Sequence, residues 1–177
     1  PLFGDEAFVA VNLQLASLGE LLGRRLEYDM VLPPGYLLAE WGSTQLFGLG
    51  ERALRLPALL AGLAGVLLFA RLARRALGES AALAATSLFA CSYYVGRHAV
   101  EVKPYAFDLL ASLLLVSEAL SVAQGRRAAT RLVALAALVV WCSYPAAFVA
   151  GAVALVLVRA RPRVALAVGG AALASFL

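Results

Sequence analysis

Apolar residues run along this chain in long blocks separated by short charged punctuation, with a more mixed texture in the first fifty residues. From Ala53 onward, Leu, Ala and Val fill stretches approaching the roughly 20 residues a helix needs to cross hydrocarbon. Three spans are predicted, Ala53–Ala70, Ala81–Val95 and Pro104–Val122. Pro57 falls in the first turns of the first span, where a missing N–H is tolerated. Arg71, Arg74 and Arg75 close that span, Gly78 stops it, and Ser80 is placed to cap the next helix. Pro104 suits the start of the third span, which Gln124-Gly125-Arg126-Arg127 and Arg131 close. Leu132–Val158 is over-long for one span and is interrupted by Ser143-Tyr144-Pro145. Two helices of about 12 residues would each rise only about 18 Å, against a hydrocarbon core of about 30 Å. A re-entrant or short helical hairpin is therefore expected, its Tyr144 tip packed in protein or lining a cavity. A further span starts near Val164.

Residues 1–50 hold no run long enough to span. They read as an extramembrane loop with short helices lying at the interface. Phe8, Val9, Val11, Leu13 and Leu15 supply its apolar contacts. Ser17-Leu18-Gly19-Glu20 fits a capping box, so a helix is expected to start near Leu18. Pro33-Pro34-Gly35 breaks the chain, and Tyr36–Phe47 follows as an amphipathic helix with Trp41 as its interfacial anchor.

Composition strengthens this picture. The chain is 63% hydrophobic, well above the 45–50% or so of soluble domains. The fold class expected is all-α, a polytopic transmembrane bundle with an outer loop carrying interfacial helices. The 177 residues read as a single module, residues 1–50 forming the loop and 51–177 the membrane helices. Pro1 at the start and Leu177 inside an apolar run suggest truncation at both ends. The net charge of +4 is almost all arginine, since Lys103 is the one lysine. The short Arg-rich loops 71–75 and 124–131 read as cytoplasmic by the positive-inside rule. Residues 1–50 and 97–103 then share the opposite face, and the hairpin keeps Arg159, Arg161 and Arg163 inside. Cys91 and Cys142 lack metal-ligand spacing and read as small buried hydrophobes rather than a disulfide. Nothing resembles a nucleic-acid patch or a phosphate-cradling P-loop.

Two polar clusters therefore stand out on the outer side. Asp5 and Glu6 suit the N-terminus of an interfacial helix, where carboxylates are favoured. A functional reading has Asp5 as general base, taking a proton from an acceptor hydroxyl. The stretch Arg97-His98-Ala99-Val100-Glu101-Val102-Lys103-Pro104-Tyr105 is either an interfacial loop with a Tyr belt residue or a cationic site. In the second case Lys103, Arg97 and His98 would neutralise a phosphate leaving group.

The order of these features resembles the N-terminal module of GT-C membrane glycosyltransferases, most closely the family 39-like group. That group includes protein mannosyltransferases and the aminoarabinose transferase acting on lipid A. The resemblance rests on Asp5-Glu6-Ala7-Phe8, on Leu32-Pro33-Pro34-Gly35-Tyr36, and on Glu51-Arg52-Ala53-Leu54-Arg55-Leu56-Pro57 with Ala61-Gly62 after it. Glu101–Ala106 and the Ser143-Tyr144-Pro145 turn complete it. His98 and Met30 depart from the pattern. What the resemblance implies is inverting transfer of a sugar from a polyprenyl-phosphate donor to an acceptor glycan, lipid or protein. The setting implied is the outer face of a bacterial cytoplasmic membrane. It implies Asp5 as base, with Glu6 and Glu101 forming an acidic floor or holding Mg²⁺ or Mn²⁺. Lys103, Arg97, His98 and Tyr105 would meet the donor phosphate. A transporter or lipid flippase would instead carry ionisable groups within its spans, where Asp108 and Glu118 are the main candidates.

Overall fold

The structure is a computed structural model that describes residues 2–15, 17–23 and 26–176. The ends at Pro1 and Leu177, on which the expected truncation turns, lie outside the described residues. Among those described, every regular element is helical. The chain divides into two compact units, residues 1–107 and 108–177.

The first unit opens with α1 (Gly4–Leu15), α2 (Leu18–Gly23), a 3-10 turn at Glu27–Asp29, and α3 (Pro34–Phe47). The capping-box residues do start α2. Glu20 accepts hydrogen bonds from both the backbone N–H and the hydroxyl of Ser17, each at 2.8 Å. Val9, Leu13, Leu21, Leu26, Leu37, Leu54 and Val102 form the core here. Phe8 stacks on Tyr28 at 4.1 Å, whereas Leu15 stays exposed. α3 begins two residues before the expected start, because Pro34 at its first turn is pre-set for helical φ. Its buried face is not simply apolar, since Tyr36, Leu37, Glu40, Ser43 and Thr44 all point inward. Trp41 packs partly against the core.

The first expected span is α4 (Glu51–Ala76), a 26-residue helix that runs on through all three arginines. The second expectation needs correction. Ala81–Val95 is not one helix but α5 (Glu79–Ala90) and α6 (Tyr93–His98), broken at Cys91-Ser92. Ser92 adopts an extended N-cap conformation. Serine favours caps over helix interiors because its hydroxyl competes for the backbone. At 12 residues, α5 rises about 18 Å and by itself is too short to cross hydrocarbon. Cys91, placed at this break, is exposed rather than buried.

The third span is α7 (Tyr105–Ala123). α4 and α7 are the two described helices long and apolar enough to cross a membrane. In the second unit α7 ends in a turn at Gly125, whose φ of +71° suits a glycine. There follow α8 (Ala129–Val140), α9 (Ala146–Leu157) and α10 (Pro162–Phe176). The paired 12-residue helices expected from Leu132–Val158 are present. They are separated at the Ser143-Tyr144-Pro145 break, where the buried Ser143 hydroxyl accepts the Ala146 N–H at 3.2 Å. α10 packs against both helices, burying Ala165, Val168 and Ala172 in a core of small and β-branched side chains.

Candidate active site

The site grows from the first turn of α1. Phe3 precedes the helix, and Glu6 reaches back so that its Oε2 accepts the Phe3 N–H at 2.9 Å. This is the local capping role a carboxylate plays at a helix start. The same side chain does something no local rule requires. Its Oε1 accepts the backbone N–H of Val102, 96 residues away, at 2.9 Å. Arg55 of α4 stands 3.7 Å from Oε2. Glu6 is only 4% exposed. A buried carboxylate is tolerable because two amides and a guanidinium compensate its lost hydration.

Packing fixes the second cluster against the first. Val102 is fully buried in the core with Val9, Leu13 and Leu54. The cluster also leans on α4 at Gly62, where an added Cβ would come within 2.7 Å of Ala99 Cβ. Only a residue without a side chain permits that approach. α6 and the turn after it then present their polar groups. Glu101 accepts from Arg97 Nε at 2.6 Å and lies 2.9 Å from His98 Nδ1. Partial burial pushes the Glu101 carboxyl up, but hydrogen bonds from Arg97 and His98 and the charge of Lys103 leave it below the usual carboxylate range. Arg97 also donates to the Tyr93 hydroxyl at 3.2 Å.

The two clusters meet in an ion pair. Lys103 Nζ stands 2.9 Å from Asp5 Oδ2. That hydrogen bond to Asp5, opposed by partial burial, raises the lysine above its ordinary value. Tyr105 flanks the pair, its ring 5.7 Å from Nζ and 4.6 Å from the His98 ring. Phe3, Asp5, Glu6, Arg55, Arg97, Val100, Glu101 and Lys103 line a cavity of about 330 Å³. That is within the size range of small-ligand sites. Asp5 is the open carboxylate of this wall, its side chain 56% exposed, while Glu6 is enclosed.

A hydroxyl substrate entering this cavity would meet one accessible carboxylate and, beside it, a cation able to bind a phosphate oxygen. Residues 31–177 match the family model of dolichyl-phosphate-mannose-protein mannosyltransferases. The chain belongs to that family. It is a membrane glycosyltransferase of the GT-C kind. No curated protein and no solved structure matches the chain significantly.

In this glycosyltransferase the structure brings together Asp5, Glu6, Arg97, Glu101 and Lys103 around one cavity, with His98 and Tyr105 beside it. The carboxylates that the resemblance offered to a divalent cation do not fit that task. Both Glu6 oxygens accept backbone N–H groups, and both Glu101 oxygens face Arg97 and His98. Among the described residues no three His, Cys, Asp or Glu side chains cluster closely enough to hold a metal ion.

Arg55 was missed as a site residue. Its signal was an arginine two residues before Pro57, in the first turns of a long apolar helix. Glu40 was missed as well. It is fully buried on α3, one turn from the equally buried Tyr36. Burial pushes its carboxyl up to about 8, with the Tyr36 hydroxyl pulling the other way. Tyr36 is itself shifted well up by burial and by the charges of Glu40 and Glu6.

Proposed function

We propose that this enzyme moves a sugar from a polyprenyl-phosphate donor to an acceptor hydroxyl or phosphate group at the outer face of the membrane, with inversion at the anomeric carbon. The observation that carries the reading is the meeting of Asp5 and Lys103 in the wall of one cavity. Such a transfer needs both groups. Where the acceptor is a hydroxyl, Asp5 takes its proton as the oxygen attacks the anomeric carbon from the face opposite the phosphate. The bond from that carbon to the phosphate oxygen breaks, and its electron pair leaves with the phosphate. Lys103 and Arg97 stabilise the charge that develops there, most effectively in a site that excludes water.

Family membership supports a lipid-linked sugar donor, and the length of α4 is compatible with an outer-face site. Arg55 lies near the start of α4 and Arg74 near its end. The helical rise between them is about 30 Å, roughly the thickness of a bilayer's hydrocarbon. The cavity and the Arg71–Arg75 group would then lie on opposite sides. Glu6 and Glu101 serve this site as positioning residues, holding α1 and the Arg97–Lys103 turn in register.

Asp5→Asn and Lys103→Ala in the full chain test the reading. Asn is nearly isosteric and still tolerated at a helix start, yet transfer should fall by about two to four orders of magnitude. Lys103→Ala should weaken the apparent affinity for a polyprenyl-phosphate sugar more than Lys103→Arg does, because Arg keeps the charge. Mass spectrometry of envelope glycans and lipids from cells carrying each variant supplies the product readout. Near-normal transfer by Asp5→Asn would remove the base assignment, and unchanged donor affinity in Lys103→Ala would remove the phosphate contact.

A further inference from the structure

The base and the cation of the proposed reaction occupy each other in the resting structure. Lys103 Nζ donates to Asp5 Oδ2 at 2.9 Å. A carboxylate oxygen that already accepts a charge-assisted hydrogen bond from an ammonium must give that bond up before it can engage an incoming hydroxyl. The same ammonium is needed at the departing phosphate. The other charged groups of the cavity wall are engaged elsewhere. Arg97 is tied to Glu101 and Tyr93, Glu6 is closed by Phe3, Val102 and Arg55, and Glu101 faces Arg97 and His98.

Resting on the donor reading above, we infer that Lys103 couples donor binding to release of the base, so that the donor's phosphate must engage before Asp5 becomes competent. The phosphodiester oxygen of the donor takes over the Nζ hydrogen bond. The side chain of Lys103 can swing because its stem is flexible and its neighbour Tyr105 offers the ammonium a ring face 5.7 Å away. Asp5 Oδ2 is then free to accept the proton of the incoming hydroxyl. The consequence is ordered addition, donor first. An acceptor or water arriving at the donor-free site meets a carboxylate already bound to lysine. The local framework need not move, since Val102 and Gly62 hold the backbone of the turn.

Zero-length carbodiimide cross-linking of the full chain tests this, with mass spectrometry reading the Asp5–Lys103 amide. The probe is geranylgeranyl methyl phosphate, a phosphodiester, chosen because carbodiimide activates phosphate monoesters. Glycine ethyl ester is present to trap carboxylates that are free. The resting protein should give the cross-linked peptide, and Lys103→Arg, which lacks the amine, should not. Saturating probe should lower the cross-link about tenfold as the paired state is depopulated, and should transfer labelling of Asp5 to the added amine. Geranylgeraniol, with the same chain and no phosphate, should change neither. Absence of the cross-link in the resting protein would overturn the inference. So would an unchanged yield with a probe that binds, as judged by a shift in melting temperature, and in that case the donor reading survives. A probe that does not bind wild type at all would overturn the donor reading and the inference with it.

Discussion

Both units of this chain bury glutamates, and they treat them in different ways. In residues 108–177, Glu118 near the end of α7 pairs with Arg127 and, at 3.9 Å, with Arg131. All three flank the turn at Gly125 between α7 and α8, so the cluster closes a helix connection. In residues 1–107, Glu6 joins Phe3, Arg55 and Val102, drawn from three separate stretches of sequence. One carboxylate staples a local turn, and the other assembles a cavity. A third, Glu40, sits one turn from Tyr36 with no cation beside it among the described residues, and burial pushes its carboxyl up to about 8. The physics of burial is the same in all three cases: a buried charge must be paired, hydrogen-bonded or neutralised. What differs is how far along the chain the compensation comes from, and that distance separates structural from functional use.

This contrast can be broken most forcefully at Glu6. Glu6→Ala leaves the Val102 and Phe3 amides without acceptors and Arg55 without its carboxylate. Removing one member of a buried ion pair costs about 3–5 kcal/mol. A large fall in melting temperature is expected together with loss of transfer, because the Lys103 turn loses its register. If Glu6→Ala melts normally and retains transfer, the long-range carboxylate has no role in assembling the site.

Glu40 gives the next largest effect, with the opposite sign. Its folded-state value of about 8 lies above the ordinary carboxylate value of 4.5, so the folded protein holds a proton that the unfolded chain has released. The stability this contributes is present in full below about pH 4.5 and is lost as pH rises through about 8. Glu40→Gln should remove that loss, leaving the variant more stable than wild type by a few kcal/mol near pH 8 and little changed near pH 4. Melting curves across that range check it, and parallel pH profiles would show that Glu40 is charged and paired.

A smaller effect is expected at Gly62. Gly62→Val must push Ala99 away from α4, at a typical overpacking cost of about 1–3 kcal/mol. Transfer should fall by more than stability alone explains, since the Arg97–Lys103 turn moves. Arg127→Ala is the mildest of the set. Its side chain is 40% exposed and Arg131 remains 3.9 Å from the buried Glu118, so a loss of about 1–2 kcal/mol is expected. Transfer per folded molecule should be unchanged. A marked loss of transfer in folded Arg127→Ala would show that the local cluster also serves the reaction.

The hydropathy blocks, the prolines at helix starts, the glycine stops and the Arg punctuation determined by themselves most of what is helical here. They located α4, α7 and the paired short helices at 129–157, because those signals act within a few residues. The ordered motifs from Asp5 to Pro145 also pointed to the family. The same signals missed the break at Cys91-Ser92, since an apolar run reads alike whether or not one serine leaves the helix. They marked Asp5 and Lys103 as candidates without showing that the two are bonded. Nothing in the local pattern distinguished the open Asp5 from the enclosed Glu6, or showed that Arg55 would reach Glu6 and that Glu40 would be buried. Those distinctions were decided by the tertiary structure, through Val102 sinking into the core, Gly62 admitting Ala99, and Glu6 reaching an amide 96 residues away. Helix formation depends on neighbours in sequence, whereas the pairing and burial of a charge depend on neighbours in space.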